Sequence, residues 1–516
     1  MYRKLITKKS MKAFILTTTL LCCCIVQATA QMTLSGQLRP RGEFRDGFAN
    51  LTPAESKPAG FVSQRTRINF GYKWDRLSFG ATVQDVRVWG QDASTITPAD
   101  GNKLMLHEGW ADLILANKAD TTIKFKLIDN LSLKLGRQEL IYDDSRLIGN
   151  LDWLQQGRRF DMALLKALHH GWQVDLGYAF NQNGEAFTEI QYAPGNVAPY
   201  VKDTNGQLVP TPAGMVPLTA GGSPNGNSSE NGAPAFANPA NSNAGSQNYK
   251  NFLSLYIAKK LNQTKVSFLF FKDEFGQYTK KSVATTGTGV VWGRFFDKRA
   301  TNDRFTFGGL INPVFGNASG FGKIAVQAGY YHQLGEDRDG KELGAYHLTT
   351  FASYSKGKFS VGPGFDILSG SSKTTAANKS KRFDPLYGTP HKFWGFMDFF
   401  YAPTGSPETG LKDYHFKSKF TANTFSLAAD FHRFDTYHTP KTGGKHLAHE
   451  LDLITNYTLN KFTVLELGYT HAWATQNLAT AKGLTIANPD KSPDFVYLMI
   501  NIRPDFLFTK PVAIKQ

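Results

Sequence analysis

The feature that most limits what this chain can fold into is an alternation of apolar and polar residues that restarts many times after residue 30. From Thr33, the positions Thr33, Ser35, Gln37, Arg39, Arg41 and Glu43 are polar, with Leu34, Gly36 and Leu38 between them. Arg65, Arg67, Asn69 and Lys73 repeat the pattern against Ile68, Phe70, Tyr72 and Trp74. After Asp75-Arg76, Leu77, Phe79, Ala81 and Val83 alternate with Ser78, Gly80, Thr82 and Gln84. A period of two marks a strand with two chemically different faces, and two such runs around a tight link form a hairpin.

Number and length decide which kind of sheet this is. A soluble sheet buries its apolar face, whereas a membrane barrel turns that face to lipid and keeps the polar face around a wet lumen. Runs of about ten residues, the length a tilted strand needs to cross the hydrocarbon, recur roughly eighteen times. They begin near Thr33, Arg65, Leu77, Leu104, Leu131 and Arg159, then near Trp172, Asn251, Lys265, Arg304, Lys323 and Tyr346. The last six begin near Phe359, Leu411, Phe425, Leu447, Phe462 and Phe495. Hydrophobic residues are only 41% of the chain while aromatic residues reach 13%, as expected when every second strand residue faces water. No apolar run beyond the leader reaches the length of a membrane helix. The expected fold is all-β, a transmembrane antiparallel β-barrel of about eighteen strands.

Connection lengths fit that reading. Links are short around Asp75, His170, Asn262, Gly357, Asn423 and Asn460. They are long around Ala54, Ile96, Asn150, Gly221, Ala284, Thr374, Thr442 and Ala481. Short periplasmic turns and long extracellular loops have this pattern, and an even strand number leaves both termini in the periplasm. Residues 182–248 are rich in Gly, Pro, Asn and Ser and read as an irregular extracellular loop. Residues 370–410 form a second long extracellular loop. Its apolar patch from His391 to Ala402 is expected to pack its aromatics on the barrel mouth. The chain ends in Pro511 to Gln516, so the usual aromatic strand terminus is displaced to around Phe506 or Phe508.

Residues 1–30 read as a secretory signal peptide. Arg3, Lys4, Lys8, Lys9 and Lys12 precede the apolar run Ala13 to Val26, and Ala28-Thr29-Ala30 supplies small residues before Gln31. Residues 31–516 would then form one barrel domain in the outer membrane of a Gram-negative bacterium. Cys22, Cys23 and Cys24 all lie in the leader, which leaves no thiol for disulfides or metal sites in the remainder. A lipoprotein reading fails on the bulky neighbours of these cysteines, Leu21 among them. The formal charge of +16 stays basic without the leader's five cations. For an exported chain that points to anionic lipid or an acidic solute, not to nucleic acid.

Charge is densest between Leu131 and His169, where Arg137, Arg146, Arg158 and Arg159 stand beside Glu139, Asp143, Asp144, Asp152 and Asp161. The segments LKLGRQEL, SRLIGN, DW and GRRFD in this stretch, with QRTRINFGYKWDRLSFGATVQDVRVWG from Gln64, resemble the alginate export family of outer-membrane barrels. The resemblance implies an eighteen-stranded monomeric barrel whose basic lumen passes a polyuronate such as alginate. The family's charged pore region matches Arg65, Arg67, Arg137, Arg146, Arg158 and Arg159, with Asp161 as a counter-charge. Alternation adds Arg39 and Arg41 to the lumen side.

A guanidinium stays charged and grips a carboxylate with two hydrogen bonds, so spaced arginines would attract a uronate without trapping it. Each arginine taken singly could equally brace the wall by cross-strand pairing. Two break parity. Arg137 shares a face with Leu131, Leu133 and Leu135, and Arg87 shares one with Val83; a bulge, or a position beyond the apolar band, would account for them. In the last run, Val496, Leu498, Ile500 and Ile502 would face lipid, with Tyr497, Met499, Asn501 and Arg503 inward.

The expected function is an outer-membrane channel for passive passage of an anionic polysaccharide or oligosaccharide. Its surroundings would be outer-membrane lipid, with periplasmic export partners if the polymer is secreted. A general anion porin and a non-transporting barrel with adhesive loops are the alternatives. Neither an enzyme nor a cofactor is expected: Ser145, near Asp143 and Asp144, has no triad histidine and no G-x-S-x-G context. No metal site is expected among His432, His438, His446 and His449, because His446 and His449 are three apart on a strand and should point to opposite faces.

Overall fold

The computed structural model describes residues 31–90, 104–120, 122–123, 125–181, 197–236, 249–317, 320–400 and 406–508. The expected signal peptide and Pro511 to Gln516 lie outside the described residues. Eighteen antiparallel strands close into a barrel. The first six are β1 (Gln31–Arg45), β2 (Ala59–Trp74), β3 (Leu77–Val88), β4 (Leu104–Asn117), β5 (Asn130–Gln138) and β6 (Phe160–His169). Next come β7 (Trp172–Phe180), β8 (Asn251–Leu261), β9 (Thr264–Ala284), β10 (Val290–Asn312), β11 (Gly322–Glu336) and β12 (Glu342–Lys356). The last are β13 (Phe359–Leu368), β14 (Leu411–Thr421), β15 (Phe425–Thr436), β16 (His446–Asn460), β17 (Thr463–Ala474) and β18 (Asp494–Ile502).

Each expected run falls on its own strand or begins one residue before it. β2 and β10 start well ahead of Arg65 and Arg304, because they continue beyond the apolar band. β18 returns to β1, with Glu43 opposite Tyr497 and Arg45 opposite Phe495, so the main sheet closes on itself. After Pro504 the chain pairs Asp505–Phe508 with β1 near Thr33, which puts Phe506 and Phe508 at the periplasmic end of the seam.

The barrel is inside out relative to a soluble domain. On β3, Phe79 is 40% exposed while Gln84 is fully buried. β18 has the expected facing: Tyr497 and Met499 are buried and Leu498 is exposed. Short turns follow from residues that accept a left-handed backbone, with φ of 51° at Asp75, 48° at His170 and 53° at Asn262.

Long connections are less irregular than their composition implies. β9 and β10 run 21 and 23 residues, longer than a membrane crossing needs, so their hairpin stands above the barrel. Part of the 182–248 connection completes that extension: Met215–Thr219 pairs with β10, placing Met215 opposite Phe295, and Tyr200–Lys202 pairs with Leu208–Pro210. Residues 182–196 and 237–248 of the connection are not among those described.

Two other loops turn inward, residues 139–159 and 369–400. Leu140, Leu147, Ile148, Tyr387, Trp394, Met397 and Phe399 are buried in one apolar cluster with Phe252, Phe271 and Phe434 of the wall. The aromatics from His391 through Phe400 therefore pack inside the lumen, deeper than the expected position on the mouth. The 139–159 loop holds Asp143, Ser145 and Leu151 at positive φ, a backbone that non-glycine residues keep only when their surroundings fix it.

Candidate functional site

Alternation on β1 and β2 sets the site. Arg39, Arg41, Arg65 and Arg67 all project into the lumen, and Arg39 and Arg65 are directly opposite in register. They do not line an open corridor, because the 139–159 loop covers them. Arg39 lies 3.1 Å and Arg65 2.9 Å from Asp152, with Arg67 3.9 Å away. Arg39 also donates twice to Gln155 Oε1, at 3.1 and 2.9 Å, and Arg65 donates to Gln37 Oε1 at 3.1 and 2.8 Å. Arg67 donates to Gln84 Oε1 at 2.6 Å and lies 3.7 Å from Glu139, which is itself 2.8 Å from His107.

Arg41 is held differently. It pairs with Glu43 at 2.8 Å, donates to the Trp153 carbonyl at 2.8 Å, and its guanidinium sits 3.9 Å over the Trp153 ring. The other face of Trp153 stacks on His391 at 3.8 Å, and His391 stacks in turn on Phe396 at 4.3 Å. A column of four groups thus joins β1, the first inward loop and the second.

Arg146 and Arg158 belong to the loop and fasten it. Arg146 bridges Asp144 at 3.2 Å and the wall residue Asp366 at 2.8 Å, with Phe393 3.9 Å under its guanidinium. Arg158 donates to the carbonyls of Leu386, Tyr387 and Gly388, which lie in the second loop. The two loops also bond directly, Gly149 N–H to the Tyr387 carbonyl at 2.9 Å and Thr389 N–H to the Ser145 carbonyl at 2.8 Å. Arg159 reaches Met105 Sδ at 3.5 Å.

Arg137 and Asp161 are a correction. They are direct partners in a regular stretch of the β5–β6 ladder and form a two-pronged pair, both bonds 2.8 Å, on the outer face of the wall rather than in the lumen. The β5–β6 ladder carries no register shift between Asn130 and Gln138, so parity on β5 is obeyed. The pair lies at the loop end of its strands, past Leu131, Leu133 and Leu135. Arg87 likewise pairs on the outer face, with Asp85 at 2.7 Å. The histidines give a second correction. A register shift beside Phe434 and Asp435 brings His446 and His449 together with ring centroids 4.6 Å apart, where a regular strand would separate them.

Asp152 is the key counter-charge and was visible in the sequence as part of the charged stretch, though nothing there marked it above its neighbours. Burial raises its carboxyl, but Arg65, then Arg39 and Arg67, outweigh that and hold it below the ordinary carboxylate value. Glu139 is also lowered against burial, by its hydrogen bonds to His107 and Asn150 and by Arg67.

A second arginine site gave no sequence signal. Arg304 on β10 takes Asp273 of β9 with two bonds of 3.0 and 2.5 Å and Asp384 of the second loop at 3.1 Å. Tyr387 donates its hydroxyl to the same Asp273 at 2.8 Å.

Residues 30–179 match the alginate export family. Among solved structures, Pseudomonas aeruginosa OpdQ is similar at 11% identity and a TM-score of 0.52, covering 92% of this chain and 98% of its own. The P. aeruginosa outer membrane protein OpdK is similar at 10% identity and a TM-score of 0.51, covering 92% and 99%. P. aeruginosa OccK11 (OpdR) gives 10% identity, a TM-score of 0.52 and coverages of 93% and 96%. No curated protein matches the chain.

Proposed function

We propose that this outer-membrane barrel, whose N-terminal third carries the alginate export sequence, is a channel for acidic saccharides that move by competing with its own loop carboxylates. One observation carries the reading. Arg39, Arg65 and Arg67 belong to the wall, whereas the acids that meet them, Asp152 and Glu139, come from the inward loop. The side chain of Asp152 is 40% exposed while Arg39 and Arg65 are buried beneath it. A uronate carboxylate is chemically the same as the Asp152 carboxylate. It would meet the same forked donors wherever the loop shifts aside. Arg41, Arg146, Arg158 and Arg159 then set the loop's resting place. Passive passage follows from exchange among several contacts of similar strength.

Partners under this reading are an anionic polysaccharide or oligosaccharide, outer-membrane lipid and, for a secreted polymer, periplasmic export proteins. The test is a reversal potential measured in planar bilayers under a KCl gradient, with and without oligouronate. Anion preference and reversible current block by oligouronate are expected; cation preference overturns the reading. The filled region around Tyr387 and Trp394 favours one rival, a barrel that conducts nothing and displays its loops. Silent bilayers from folded protein would establish that rival.

A further inference from the structure

Away from the arginine cluster, β14, β15 and β16 gather a different set of groups on the lumen side. Asp413 and His415 are two apart on β14 and share its inward face, and His432 of β15 stands directly opposite His415. His432 Nδ1 lies 2.9 and 3.0 Å from the two oxygens of Asp413, and His415 Nδ1 lies 3.2 Å from Asp413 Oδ2. One ligand atom from each of the three residues lies within 4.8 Å of the others, and all three residues are buried. A small adjustment places these atoms about 2.0–2.2 Å from a common ion.

Two further observations point to a ligand. Asp366, Asp413, Glu450 and Asp452 are all fully buried in this part of the wall, and Arg146 pairs with Asp366, at the edge of the group. Fixed negative charge exceeds fixed positive charge here, which buried sites rarely tolerate without a cation or a proton. The Asp452 carboxyl meets the buried Glu450 carboxyl, an acid pair that needs a proton or a cation, and on the far side of the His432 ring Nε2 lies 3.8 Å from Asp452 Oδ2. That is where a metal-bound imidazole keeps the carboxylate that orients it.

We propose that Asp413, His415 and His432 bind one divalent transition-metal ion of the zinc class, with Asp452 as the positioning residue behind His432. Two imidazoles and one carboxylate suit zinc, cobalt or nickel better than calcium or magnesium, which prefer oxygen alone. The ion would offset the excess negative charge and clamp β14 to β15. The second inward loop docks on the adjoining strand, where Met397 N–H donates to Glu450 at 2.9 Å and Phe396 N–H to Asp452 at 3.4 Å. The site would therefore be a structural fastening beneath the loop.

The experiment uses the full barrel in detergent, stripped with a chelator and titrated with zinc, and with cobalt for its visible spectrum. One ion per chain is expected, with a rise in Tm. H432Q and H415Q should each abolish stoichiometric uptake, and D452N should weaken it by about 10- to 100-fold. H449Q, outside the cluster, should bind as the parent does. Heat-modifiable gel mobility identifies folded protein, and should H432Q not fold, H415Q decides alone. Absence of stoichiometric uptake, as expected if protons balance the carboxylates, overturns the proposal. So does uptake unchanged in folded H415Q.

Discussion

Arg65 on β2 and Arg304 on β10 are both buried lumen arginines, and what surrounds them gives them different work. Around Arg65, wall cations outnumber wall acids, and the nearest carboxylate, Asp152, is lent by a loop and partly exposed. Around Arg304, the wall supplies its own acid: Asp273 on the neighbouring strand is fully buried, and Asp384 adds a second from the other inward loop. Burial of the arginine does not distinguish the two. The origin of the counter-charge does. An arginine matched by its own wall is an anchor, whereas one matched by a displaceable loop keeps its attraction for anions in reserve.

The strongest way to break the comparison is stability. Arg304→Leu leaves Asp273 buried without its guanidinium and is expected to cost roughly 3–5 kcal/mol, measured as a lower urea midpoint of the detergent-folded barrel. Arg65→Leu should cost clearly less, because Asp152 can turn to Arg39 or to water. Equal losses would erase the distinction. Selectivity gives the next effect: Asp152→Asn should favour anions by on the order of 1 kcal/mol, read as a shifted reversal potential, since a unit charge a few ångströms away in wet surroundings is worth about that much. Asp384→Asn should leave selectivity where it was.

Acid tests the same loop more gently. The Asp152 carboxyl sits below its ordinary value of 3.8, so its contribution is fully present above that pH and is lost as pH falls through the lower folded value. Protease resistance of the 139–159 loop should hold from neutral pH to about 4 and fall below it. Loss of protection between pH 7 and 5 would assign the docking to other groups. The smallest effect belongs to Arg137→Ala: an exposed pair on the outer wall should contribute about 0–1 kcal/mol and nothing to selectivity.

Much of this protein was legible without coordinates, because a strand crossing a membrane leaves its period in the sequence. Alternation fixed the faces of β1, β2, β3 and β18, and the lengths of apolar and polar runs located all eighteen strands. The inward arginines Arg39, Arg41, Arg65 and Arg67 followed from the same period. Arg137 obeyed it too, although the family resemblance had placed it in the pore set against its parity.

Loops carry no such period. Nothing in residues 139–159 or 369–400 reveals that they enter the lumen and meet each other, since Arg158 grips backbone carbonyls more than two hundred positions away. Nor does composition show that Asp273 and Asp384 converge on Arg304, or that a register shift brings His446 beside His449. The sequence by itself determined the wall and which side chains face its interior, because local geometry repeats every two residues. Only the tertiary structure decided which of those side chains are matched, covered or left with charge to spare, because that depends on contacts between segments far apart in the chain.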